Sequence, residues 1–284
     1  MTRHTLAQAF TLAGRALHSG RKSRLSLHPA PPGTGIRFTR TDLGAGVTVA
    51  PGQARRAILS TALALPDGQR IRTVEHLLSA CMALGVDDAI AMLDTEELPI
   101  LDGSAAPYCA AIAAAGLAAT DAPRPHLRLL EPIQVATEDN RLLRAEPAER
   151  LGFDITLDLA HWGMLRWSGT PLGATYVAEI APARSFLRLG HGLVQRLKGS
   201  RAEPVLRGAR LSNTAPLFRG GILGGARLPA EPVRHRALDL LGDLALLGMP
   251  LLAHVTAHRT GHVLNLALVE AIMARPEAWQ VEGR

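Results

Sequence analysis

The sequence predicts an α+β protein of two domains, on three observations. Stretches with helical apolar spacing are interleaved with short runs that read as buried strands. A Pro-rich break, Ala122-Pro-Arg-Pro125, divides the chain into residues 1–122 and 127–284. The segment His76-Leu-Leu-Ser-Ala-Cys-Met-Ala-Leu-Gly85-Val is echoed by Asp239-Leu-Leu-Gly-Asp-Leu-Ala-Leu-Leu-Gly248-Met. Each is a helix ending in Leu-Gly ahead of a buried strand, which suggests duplicated domains and not a solenoid.

In chain order, Gly44 to Pro66 is rich in small residues with scattered arginine and offers no clear element. Thr73 is placed to cap a helix whose apolar positions are Leu77, Leu78, Cys81 and Leu84, with Gly85 as its C-cap. Ala89 to Leu93 reads as a buried strand, Pro99 to Pro107 as a turn-rich loop, and Ala106 to Leu117 as a helix ending near Gly116. Beyond the break, Leu127 to Ala136 and Leu151 to Leu159 read as strands, the first broken or confined to an edge by Pro132. Pro182 to Glu231 reads as irregular, with Gly220-Gly-Ile-Leu-Gly-Gly225 as a mobile loop. Arg234 to Leu247 is helical in period and is stopped by Gly248 and Pro250. Leu251 to Thr256 is a strand, and Val263 to Ala274 a last helix.

Composition narrows the function. Hydrophobic residues make up 47% of the 284 and charged residues 20%, which excludes disordered and collagen-like chains. Cys81 and Cys109 are too few for a disulfide framework and read as buried thiols in a reducing compartment. Ala105 to Ala119 is too short to span a bilayer, Leu238 to Ala257 carries Asp239, Asp243 and His254, and no signal-peptide h-region precedes them. The expected location is cytoplasmic. The net charge is +6, and all basic side chains except Lys22 and Lys198 are arginines. That reads either as a compositional bias of the whole chain or as a preference for an anionic substrate or membrane surface. No dense basic run with interleaved aromatics speaks for nucleic acid.

His235 and Asp239 stand at i and i+4, so a helix puts both on one face, as a metal half-site or as a plain solvated pair. His76, on the other copy of the echo, would complete a set of three that leaves a fourth position open. Glu75 diverges by about 100° from its neighbour; it would not chelate beside His76, but it could take a proton from a water held there. The alternative is a first-turn glutamate favoured by the helix dipole. His262 could act on an oxyanion or a leaving amine if Asp243 keeps it charged, or it could be a surface histidine. His18 and His161 are weaker candidates. No Gly-x-Ser-x-Gly elbow, dinucleotide fingerprint or Walker loop appears.

Six segments carry a resemblance. They are Ala16-Leu-His-Ser-Gly20, Thr73-Val-Glu-His-Leu-Leu78, Leu98-Pro-Ile-Leu-Asp-Gly-Ser-Ala105, Ala183-Arg-Ser-Phe186, His235-Arg-Ala-Leu-Asp-Leu-Leu-Gly-Asp-Leu244 and Gly261-His-Val-Leu-Asn265. In this order and spread, the chain resembles the UDP-3-O-acyl-N-acetylglucosamine deacetylases, zinc amidases of lipid A synthesis. The resemblance implies two similar domains, each layering helices on a β-sheet, with the active site between them. It implies Zn2+ held by His76, His235 and Asp239, Glu75 as general base, and His262 as protonated partner with Asp243 behind it. It also implies Ser185 beside the reacting carbonyl, and Arg236, Phe186 and His18 on the substrate. Residues 186–223 would take the place of the family's acyl passage. A UDP-linked acylated amino sugar is then the partner, with no nucleic acid, transient contact with the inner-membrane surface and a monomeric state. No clean amphipathic anchor is visible for that contact.

The chain departs from the family at Arg236, where lysine is usual, at Ser185 for threonine, and at Leu266 after Asn265. The insert departs most: Gly208-Ala-Arg-Leu-Ser-Asn213 replaces a Gly-Gly-Ser segment, and Arg188, Arg196, Lys198, Arg201, Arg207, Arg210 and Arg219 make it basic. These departures keep two rival readings open. One is the same zinc chemistry on another acylated amino-sugar nucleotide. The other is a silent protein that binds a glycolipid or nucleotide.

Overall fold

The computed structural model describes residues 2–200 and 203–283, so Arg201 of the basic insert lies outside the described residues, as does the Leu193 side chain. The fold is α+β. Its N-terminal half is built on a five-stranded sheet in the order Phe10–Arg15, Lys22–Pro29, Ala89–Leu93, Ile36–Arg40, Ala45–Thr48. All neighbours are antiparallel except Ala89–Leu93 beside Ile36–Arg40. Helices α1 (Glu75–Leu84) and α2 (Ala106–Ala115) pack against each other. A small sheet of Ala54–Ala57, Ser60–Ala64 and Arg70–Arg72 leads into α1. Leu117–Pro123 returns to pair with Thr2–Leu6 and runs one residue past the expected end of this half.

The C-terminal half centres on Leu251–His258, whose residues alternate buried and half-buried, as a strand with one face on a core must. It pairs antiparallel with Leu142–Pro147 and parallel with Gly152–Leu159 and His126–Leu129. Helix α3 (Gly173–Glu179) precedes the insert, which holds α4 (Leu189–Lys198) and a three-stranded sheet of Phe186–Arg188, Ala215–Phe218 and Gly221–Ile222. Helices α5 (Glu231–Leu244) and α6 (His262–Met273) pack on each other, and α5 packs on α1. One apolar cluster, from Leu6 to Ala278, runs through both halves. Among the described residues no helix is long and apolar enough to cross a membrane.

Several expectations need correction. Residues 2–72 form eight strands where the sequence offered none, because three- to eight-residue strands of small and polar residues carry little periodic signal. Thr73 does not cap α1: Val74 stands there without a side-chain bond, and the Thr73 hydroxyl is 3.3 Å from Glu97 Oε1. The Leu127–Ala136 strand is broken, as Pro132 predicts, into His126–Leu129 and Ile133–Ala136. Helix α5 starts three residues early because Pro232 fits its first turn, and it ends in a 3-10 turn, Ala245–Leu247, closed by Gly248 at φ 77°. The insert is not irregular throughout. Gly190 and Gly192 hid α4 from the sequence, yet Gly192 is what lets Leu187 pack on it, for a Cβ there would lie 2.1 Å from Leu187 Cδ1. The glycine run is tied down as a hairpin, with Gly221–Ile222 paired to Leu217 and Phe218.

Candidate active site

The site lies where α1, α5 and α6 meet. Gly242 makes that meeting possible: a Cβ there would lie 2.2 Å from the Glu75 carbonyl oxygen, so any larger residue would hold the helices apart. The closeness brings the first turn of α1, carrying Glu75 and His76, against the inward stripe of α5, carrying His235, Asp239 and Asp243. All five side chains are buried.

His76, His235 and Asp239 form a group whose ligand atoms all lie within 4.8 Å of one another. The His235 Nδ1–H donates to the Ala183 carbonyl at 3.0 Å, which leaves the Nε2 lone pair facing Asp239 Oδ1 at 3.4 Å. Burial, with His235 adding to it, pushes His76 down to about 3. Burial also lowers His235, against the pull of Asp239. Burial alone would raise Asp239, but His235, His262, Arg236 and His76 outweigh it and hold the carboxyl at about 2. Two neutral imidazoles and a carboxylate are the protonation states a zinc-type ion requires. The donor set fits such an ion.

Glu75 is outside this group. Burial pushes its carboxyl up to about 8, with His262 pulling the other way. The Thr61 N–H donates to Glu75 Oε2 at 3.2 Å. His262 opens α6, with Nε2 3.8 Å from Glu75 Oε1 and 4.0 Å from Asp239 Oδ2. Its Nδ1–H donates to Asp243 Oδ2 at 2.9 Å. Burial would lower this imidazole, but Asp243 and Asp239 overcome it and push it up to about 10. The Thr61 hydroxyl and the Asn265 amide donate to Asp243 at 2.6 and 2.8 Å. With its hydroxyl also 3.2 Å from His262 Nδ1, Thr61 touches three site residues, Glu75, Asp243 and His262. No sequence motif marked it, since a threonine in a short strand carries no signal of its own. Asn265 stood in a quoted motif without a role.

Ser185 sits with its hydroxyl 3.5 Å from His76 Nε2. Phe186 packs edge-on against the His235 ring at 6.0 Å, and the Arg236 guanidinium stacks over Phe186 at 4.8 Å. Arg236 Nη1 donates to Asp239 Oδ2 at 3.0 Å. These side chains line one cleft with Glu75, His76, His235, Asp239 and His262. His18 is the exception: it is not among the residues that line the cleft. Leu17 lines the cleft, while His18 is fully buried behind it, its backbone N–H held by Glu97 Oε1 at 2.7 Å. Burial pushes its imidazole down to about 3.

Thr73 lines the same cleft at φ 59°, a left-handed conformation that β-branched residues rarely adopt. Its N–H donates to the Thr61 carbonyl at 2.9 Å. The segment before α5 is set by an ion pair that the sequence did not reveal. Buried Glu231 accepts from the Arg184 guanidinium at 2.8 Å and from the Arg184 and Arg227 N–H groups at 3.0 and 2.8 Å.

An α+β chain with a buried His-His-Asp donor group, a separate carboxylate and a carboxylate-backed histidine in one cleft has the parts of a metal-dependent hydrolase. The family model for UDP-3-O-acyl N-acetylglycosamine deacetylases matches residues 3–274, and the chain belongs to that family. Proteins named UDP-3-O-acyl-N-acetylglucosamine deacetylase resemble it along nearly their whole length. The one from Myxococcus xanthus is 36% identical over 285 residues, covering 98% of this chain and 88% of the relative. That from Phenylobacterium zucineum is 35% identical over 287 residues, covering 99% and 96%. One from Neisseria meningitidis is 33% identical over 289 residues, covering 98% and 92%.

Proposed function

We propose that this protein is a zinc-dependent amide hydrolase that removes acetate from the N-acetyl group of a UDP-linked, 3-O-acylated N-acetylglucosamine in lipid A synthesis. The observation that carries the reading is the juxtaposition of Glu75 Oε1 and His262 Nε2, 3.8 Å apart beside the donor group. A binding protein has no use for a base and an acid facing the same point.

His76, His235 and Asp239 would hold the ion. Zinc, when bound there, polarises the amide carbonyl and acidifies a water. Glu75 takes the proton from the attacking water; its raised carboxyl is matched to that task near neutral pH. Protonated His262, fixed by Asp243, hydrogen-bonds the oxygen on which charge develops and then passes its proton to the departing nitrogen. The Ser185 hydroxyl offers a second donor to that oxygen. Arg236, held flat by Phe186, faces the substrate's diphosphate.

The reading divides the chain into residues 1–122 and 127–284 with the site between them. The return of Leu117–Pro123 onto Thr2–Leu6 supports that boundary. It also takes the protein to be a monomer of the cytoplasm that meets the inner-membrane surface transiently. Two unpaired buried thiols are in keeping with a reducing compartment.

The test is acetate release from the UDP-linked 3-O-acyl substrate by protein of known zinc content, before and after chelation. Release that stops with chelator and returns with zinc is expected. Folded, zinc-loaded protein that releases no acetate would overturn the reading.

A further inference from the structure

We propose that α4 and the described residues of the insert around it form a docking surface for an anionic lipid bilayer, with the outer face of α4 seated against the lipid beside the mouth of the cleft. This deepens, and rests on, the reading that the enzyme meets a membrane surface.

Charge is the first argument. The insert holds seven basic residues and one acid, Glu203, a net +6. That equals the formal charge of the entire chain, so the rest of the protein balances to zero. The excess is thus not a bias spread along the sequence. Glu203 is itself held by Arg70 at 3.2 Å. Among the described residues, Arg188, Arg196, Lys198 and Arg210 pair with no carboxylate. Positive charge left unpaired on one short segment is what attracts an anionic surface.

Exposed apolar side chains are the second. Leu197 is 76% exposed, the most of any large hydrophobic side chain described, and Leu211 and Val194 are 63% and 47% exposed. Val194 and Leu197 lie at i and i+3 on α4, with Lys198 one turn from Val194, so the three share a face. Leu189 and Phe218 are also exposed but line a hollow beside the cleft, which accounts for them. Leu197 has no such account. A soluble polyanion would match the cations and leave the leucines in water. An apolar protein groove would do the reverse. A bilayer with acidic headgroups takes both at once.

Position is the third. Gly192, on the side of α4 opposite Leu197, lines the cleft that contains Glu75, and His191 lines it from the edge of the face that carries Lys198. A helix between lipid and cleft lets an acyl chain move between them with little of its length in water, and every methylene kept dry favours the transfer.

The experiment is co-sedimentation of the zinc-loaded, full-length protein with vesicles of phosphatidylglycerol and phosphatidylethanolamine, and with vesicles of phosphatidylcholine alone. The protein should pellet with the first and not the second, and salt should release it. Leu197→Ser should weaken pelleting, and Arg196→Ser/Lys198→Ser should weaken it about fivefold per charge removed. Both variants should keep wild-type turnover on dissolved substrate without vesicles. Wild-type protein that stays in the supernatant with phosphatidylglycerol overturns the proposal. So does a Leu197→Ser variant that pellets like wild type while the charge variant does not, which would assign the surface to a soluble polyanion. Lipid binding that responds to both variants in a protein that releases no acetate supports the surface and overturns only the deacetylase reading.

Discussion

The seam between α1, α5 and α6 and the insert around α4 solve opposite problems. In the seam, charged groups are buried and answered: Asp243 accepts from His262, Asn265 and Thr61, and Glu231 accepts from Arg184 and Arg227. Two helix backbones come close enough that Gly242 cannot carry a side chain without displacement. In the insert, the described cations lack carboxylate partners and aliphatic side chains face water. Burial makes neighbouring charges decide protonation, so the seam can hold His262 charged while His76 and His235 stay neutral. Solvent screens the insert's charges from one another, which leaves them free to act on a partner. Chemistry therefore belongs to the seam, and encounter to the insert.

That contrast can be broken at graded cost. Glu75→Gln removes the proton acceptor and should lower kcat by about 10²–10⁴, with zinc content unchanged. Initial rates alongside metal analysis would check it, and an unaltered kcat would strike Glu75 from the mechanism. Glu231→Gln leaves buried Arg184 without its carboxylate and should cost about 3–5 kcal/mol of stability, read from denaturant midpoints. Burial alone would raise the Glu231 carboxyl, but Arg184 and the N–H donors more than offset that and hold it below its ordinary 4.5. Its stabilisation is therefore complete above about pH 4.5 and is lost as acid carries the group through its lower folded value. A plot of Tm against pH should lose that part of its acid limb in the variant.

Gly242→Ala should cost about 1–3 kcal/mol by forcing α5 away from the Glu75 carbonyl, and turnover should fall with it, since the donor group and the base then separate. A variant with a lower Tm but full turnover would show that the seam tolerates the shift. Leu197→Ser marks the other extreme. Its stability should stay within about 0.5 kcal/mol of wild type, with turnover on dissolved substrate unchanged. A larger loss in thermal melts would mean that the insert, too, is part of the packed body.

Much of the seam was legible in the sequence because its residues are local. A helix turns His235 and Asp239 to one face whatever the rest of the protein does, and Glu75 and His76 are adjacent. The apolar period of α1 and the Gly248 stop after α5 were equally local signals. Thr61, the Ala183 carbonyl and the Arg184–Glu231 pair were not legible. Each works through a partner 14 to 201 residues away, and hydrogen bonds over such separations leave no spacing to read. The family motifs suggested His18 for the substrate, but a motif conveys no direction, and the backbone bond to Glu97 accompanies a ring turned inward.

By itself, then, the sequence determined the α+β class, the two signature helices and the positive charge of residues 186–223, while its family resemblance implied the three donor side chains. The first three follow from residue type and short-range geometry, which the chain carries before it folds. Only the tertiary structure decided that the donors converge within 4.8 Å, that His262 meets Glu75 beside them, and that Leu197 points outward. Convergence and exposure depend on how distant segments close-pack. One missing Cβ at Gly242 and one buried ion pair at Glu231 contribute as much to that packing as any motif.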